Sequence, residues 1–142
     1  MRAAVVAGLL ALGVAAPAVA QESALLGRWR TPAEGGVVEI QRCGAALCGR
    51  LVDAAPLRAD PDQRDVRNRD AAQRERPLRG LTVLRGFTGG PTEWRGGPLY
   101  DPNSGQTADR GTLTLQQGGQ RLSVRGCIAR VLCRTQTWRR AD

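Results

Sequence analysis

From residue 26 onward, apolar side chains recur at alternate positions in short runs, and glycine, proline and asparagine separate the runs. Alternation of that period marks half-buried strands, with one face turned to a core. It predicts strands over residues 26–31 (LGRWRT), 37–43 (VVEIQRC), 48–53 (CGRLVD), 80–87 (GLTVLRGF), 112–117 (TLTLQQ), 121–127 (RLSVRGC) and 133–140 (CRTQTWRR). In the RLSVRGC run, Leu122 and Val124 face one way and Arg121, Ser123 and Arg125 the other. Between strands, AEGG and TGGPTEW read as turns, and RGGPLYDPNSGQT as a strand end followed by a turn. No run keeps a helical period for long. The expected fold is all-β: one small antiparallel barrel of about eight strands.

Residues 54–79 break the pattern. AAPLRADPDQRDVRNRDAAQRERPLR is highly charged and carries few large apolar groups, so it reads as one long polar loop with at most a helical turn. Asp60, Asp62 and Asp65 have a spacing that superficially suggests calcium, but Pro61 and Arg64 intrude and a bidentate glutamate is missing, so a solvated acidic loop is expected. Arg67, Arg69, Arg74, Arg76 and Arg79 follow. Arg76 is expected to lock the loop to the barrel through carbonyls and Asp70. Arg74 and Arg79 are the candidate ligand-binding residues.

The chain opens with Arg2, then a run of Ala, Val, Leu and Gly over residues 3–16, then Ala18-Val19-Ala20. This is the tripartite pattern of a secretory signal peptide over residues 1–20, leaving 21–142 as a single β-barrel domain. No later stretch is long and apolar enough to cross a bilayer. Export to the periplasm or beyond changes how two further features are read. The formal net charge is +8 with every basic side chain an arginine. In the cytosol such a balance would suggest nucleic acid; outside it, anionic envelope polymers or lipid headgroups are the fitting partners. The four cysteines meet an oxidising compartment, where pairs become disulfides. They allow three connectivities. Strands flank GAAL and IARVL closely enough that Cys43–Cys48 and Cys127–Cys133 would each staple a hairpin tip.

Candidate chemistry is sparse. The chain has no histidine and no lysine, which removes the commonest general base, imidazole zinc ligands and Schiff-base catalysis. Paired cysteines leave no thiolate. Ser23, Ser104 and Ser123 sit in no nucleophile elbow. Glu39, Asp53, Glu93, Asp101 and Asp109 lie near strand ends, but nothing in their spacing requires a catalytic dyad. The expectation is a non-enzyme without metal or cofactor.

Read in order, GRWRTPAEGGVVEIQRCGAALCGRLV, RERPLRGLTVLRGF, EWRGGPLYDPNSGQT and LSVRGCIARVLCRTQTWRR closely resemble the exported bacterial family called domain of unknown function 2147. Ala108 departs from it where an aromatic residue is expected after GQT. The resemblance implies envelope export and a small β domain but no activity. More loosely, the chain ends are similar to the calycin superfamily of lipocalins and fatty-acid-binding proteins. In that superfamily a Gly-x-Trp on the first strand receives an arginine of the last strand over the indole. The matching residues here are Gly27, Trp29 and Arg140, with Trp138 beside them. A calycin-like barrel suggests non-catalytic binding of a small amphipathic or anionic ligand. The rival is an interaction module: a filled barrel with a basic face docked on an envelope polymer or protein.

N-terminal sequencing of protein recovered from its native host is expected to start within a few residues of Gln21, in the periplasmic or secreted fraction. Full-length cytosolic protein would refute export.

Overall fold

A computed structural model describes residues 11–14 and 24–141; apart from 11–14, the leader expected over residues 1–20 lies outside the described residues. The strands are β1 (Gly27–Arg30), β2 (Val37–Cys43), β3 (Ala46–Asp53), β4 (Thr82–Gly89), β5 (Glu93–Gly96), β6 (Leu99–Asp101), β7 (Gln106–Ala108), β8 (Arg110–Gln116), β9 (Arg121–Ile128) and β10 (Leu132–Arg140). One short helix, α1 (Ala55–Ala59), follows β3. All ladders are antiparallel and run in the order β3-β2-β1-β10-β9-β8-β5-β4-β6-β7, and a further β3–β4 pairing closes the sheet into a barrel. β5 and β6 form one strand broken at Gly97-Pro98, and β7 and β8 one broken at Asp109, so the wall is eight-stranded.

Alternation does what the sequence implies. Trp29, Val38, Ile40, Leu113, Leu122, Val124 and Trp138 are buried, while Arg28, Arg30 and Arg125 between them face water. Gly111 and Gly126 lie opposite each other on β8 and β9. A Cβ at Gly111 would meet Leu99 Cδ1 at 2.2 Å, so the missing side chain is what lets the β6–β7 hairpin press against that wall.

One stretch differs from expectation. TGGPTEW is not all turn: Gly89 pairs with Trp94, and β5 begins at Glu93. Trp94 is almost fully buried, and bringing that indole into the core extends the ladder to the edge of a tighter turn.

Chain direction assigns two ends to the barrel. The β2–β3, β4–β5 and β8–β9 links lie at one end; β1–β2, β3–β4, β6–β7 and β9–β10 lie at the other. The first end is closed. Trp29 pairs with Arg140 across the β1–β10 ladder, and the Arg140 guanidinium lies over the indole at 3.9 Å from its centroid. Arg140 also donates to the carbonyls of Leu26 (2.8 Å), Ala24 and Gly119, while Trp29 Nε1 donates to Leu25 O (2.9 Å). An arginine can do both jobs because its face stacks while its edge donates. The cysteines pair locally, Cys43–Cys48 at the closed end and Cys127–Cys133 at the other.

Arg140→Ala is expected to cost about 2 kcal/mol through lost stacking and hydrogen bonds. Trp29→Ala is expected to cost about 3–5 kcal/mol through the cavity it leaves. Denaturant titration of both and of the double variant should give a non-additive cycle, because the groups touch. Additive losses would separate the two chain ends energetically.

Candidate functional site

At the open end the long polar segment folds back over the barrel. It is held by a carboxylate that has left water altogether: the Asp65 side chain is 0% exposed. Asp65 Oδ2 accepts from Arg76 Nε (2.9 Å) and Asn68 Nδ2 (2.8 Å), and Oδ1 accepts from the Tyr100 hydroxyl of β6. Arg76 also lies over the Tyr100 ring, 5.2 Å from its centroid. A buried charge is tolerable only when paired and fully hydrogen-bonded, and here three donors meet that need.

The backbone seats the segment as well. Asp65 N–H donates to Arg76 O (3.0 Å), Leu78 N–H to Gln63 O (3.0 Å) and Gly80 N–H to Leu51 O (2.7 Å). Arg67 Nη1 donates to Asn103 O (2.9 Å) in the β6–β7 turn. In that turn Gly105 has φ +71°, and a Cβ there would sit 1.8 Å from Arg67 O. Only glycine lets the two backbones approach so closely.

Under this lid is a cavity of about 320 Å³. Barrel residues Leu51, Val83 and Trp138 and the α1 residue Leu57 give it apolar walls; Arg64, Arg67 and Tyr100 give it polar ones. Glu34 and Asp101 also line it, and the Asp101 carboxylate accepts from Asn103 N–H and Ser104 Oγ within its own turn. Arg64 and Arg67 each hold a loop carbonyl through Nη1, and neither forms an ion pair among the described residues. Burial first, and then the Asp65 carboxylate, push the Tyr100 hydroxyl up to about 12, against a smaller lowering pull from Arg76. Tyr100 is therefore a neutral donor across the physiological range. Among the described residues no group of acidic or cysteine side chains is arranged to hold a metal ion.

The structure places Arg74 and Arg79 outside the cavity wall. Arg74 Nε donates to Asn68 O (2.8 Å) within the lid, and Arg79 is exposed beyond it. The cavity arginines are Arg64 and Arg67 instead. Arg76 does anchor the loop, but to Asp65 and not to Asp70, whose carboxylate accepts from Ala72 N–H at the start of a 3₁₀ turn over Ala71–Gln73. Asp65 is likewise no part of a solvated acidic cluster; only Asp60 and Asp62 remain in water. Sequence reasoning missed Asp65 and Tyr100 as a pair. The one available signal was the chain's single tyrosine, standing in a turn-rich segment.

A closed antiparallel barrel with an arginine-capped tryptophan at one end and a cavity at the other is a lipocalin-like fold. A similar solved structure is protein HP1028 from the human pathogen Helicobacter pylori, described as belonging to the lipocalin family; it matches with a TM-score of 0.70 and 18% identity, over 83% of each chain. The family model for an uncharacterized protein conserved in bacteria (DUF2147) matches residues 27–140, and the chain belongs to that family. No curated protein matches it.

Because the protein has one tyrosine, ultraviolet titration of phenolate absorbance reads Tyr100 alone. Folded protein is expected to titrate near 12, against 10 for a free tyrosine. Since the folded value is the higher, the stability linked to this hydroxyl is full below pH 10 and is lost as pH rises towards 12. Asp65→Asn should lower the value towards, but not to, the free one, because burial remains. An unshifted wild-type value would contradict the buried Asp65–Tyr100 bond.

Proposed function

We propose that this protein is a non-catalytic carrier or sensor of a small amphipathic molecule with an acidic head group, acting in the cell envelope. One observation carries the reading: a single cavity joins apolar walls from the barrel to Arg64 and Arg67 from the lid. Binding sites of this kind are concave, mostly apolar and equipped with a few placed polar groups. At about 320 Å³ the cavity has room for on the order of ten water molecules, or a ligand with about that many non-hydrogen atoms. A medium-chain carboxylate fits that description, its tail against Leu57, Val83 and Trp138 and its head group towards the arginines.

Several features support binding over catalysis. The chain has no histidine and no lysine, its described cysteines are all in disulfides, and Tyr100 is held neutral. Two disulfides suit an oxidising compartment, and the leader pattern over residues 1–20 suits export to the periplasm or beyond.

Calorimetric titration with octanoate is expected to show saturable binding that weakens as salt is added. Arg64→Gln with Arg67→Gln should weaken it by about tenfold or more, the scale of a lost hydrogen bond to a charged group. Arg74→Ser with Arg79→Ser should leave it unchanged, since neither residue lines the cavity. If octanol binds the wild type as well as octanoate does, head-group recognition is wrong; if neither binds, so is the carrier reading.

A further inference from the structure

The β9–β10 hairpin ends in a five-residue tip, Ile128 to Leu132, closed beneath by the paired Cys127 and Cys133. Ile128 is 40% exposed, Leu132 66% and Val131 86%. Ile128 and Leu132 are cross-strand partners, so the apolar groups form one cluster and are not scattered singly. On the lid, at the same end of the barrel, Val66 is 68% exposed.

Charge is distributed just as unevenly. From Arg110 to Ala141 the chain has seven arginines and no acidic residue. Arg130 stands at the apex of the tip and Arg125 and Arg134 lie just below it on β9 and β10, and none of the three forms an ion pair among the described residues. Further down the outer wall, Arg30 pairs in register with Arg139, and Arg139 with Arg121. Like charges directly opposite on a sheet are unfavourable.

We propose that the disulfide-closed tip is a wedge that docks the open end of the barrel onto an anionic lipid bilayer. Apolar side chains set among arginines are the pattern of interfacial membrane binding: the apolar side chains enter the acyl boundary and the arginines meet the headgroups. An anionic polysaccharide would engage the arginines but leave Ile128, Val131 and Leu132 in water. A second copy of the chain would cover those side chains, but a two-fold contact there would set these arginines against their copies. The Cys127–Cys133 bridge fixes the tip before it meets the bilayer. β9 runs towards the cavity end, so docking turns the cavity mouth to the lipid.

The test is co-sedimentation of the protein, as its host processes it, with vesicles of phosphatidylglycerol mixed with phosphatidylcholine or of phosphatidylcholine alone. Binding is expected only to the anionic vesicles and should fall with salt. Val131→Ser with Leu132→Ser, and separately Arg130→Ser with Arg134→Ser, should each weaken it by about tenfold or more without changing the melting temperature. Val131→Trp should give an emission band that shifts to the blue on anionic vesicles and is quenched by brominated lipid. Wild-type vesicle binding by the first double variant, or no shift from the added tryptophan, would overturn the proposal. So would a dimer in solution that the serine substitutions at the tip dissolve. Octanoate affinity without vesicles should be untouched by the tip variants, which separates this proposal from the carrier reading.

Discussion

The buried carboxylate of Asp65 is the constraint on which the open end of the barrel depends. Beyond Ala54, Leu57 and Leu78, a segment as polar as residues 54–79 has little apolar surface with which to bind itself to a core. It is ordered instead by one charge that cannot stay buried unless Arg76, Asn68 and Tyr100 all meet it. Two of those donors belong to the lid itself, and Tyr100 belongs to the wall. The same three contacts therefore fold the lid and attach it. Removing any donor leaves a buried charge short of partners, a far larger penalty than losing a surface ion pair.

The two ends of the barrel solve opposite problems with the same residue type. At the closed end Arg140 faces Trp29 and gathers carbonyls from the residues just before β1 and from the β8–β9 link, which seals the wall over a fully buried indole. At the open end Arg76 pairs with a carboxylate over a tyrosine, which holds a roof above a space the side chains do not fill. The interior is thus packed near Trp29, Phe87 and Trp94 and open near Trp138.

Strand-borne features were legible because alternation is local. Leu122 and Val124 against Arg121 and Arg125, and the two hairpin disulfides, are settled within a few residues of chain. Trp29 and Arg140, far apart in the chain, were legible only through resemblance at its two ends. The lid was not legible. Asp65 and Tyr100 are 35 residues apart, and neither carries a pattern that names the other. Charge alone made Arg74 and Arg79 as plausible at a site as Arg64 and Arg67; which pair lines the cavity depends on how the lid crosses β6 and β7. The start of β5, Glu93 and Trp94, reads as turn in the sequence because Gly90, Pro91 and Thr92 mask a strand only four residues long.

Hydrogen exchange followed by mass spectrometry tests most directly whether residues 54–79 form a fixed roof over the cavity. The amides of Asp65 and Leu78 donate within the lid. They are expected to be protected to a degree comparable with β9. Exchange of both at the rate of an open, solvated loop, while β9 stays protected, would contradict a lid held by Asp65.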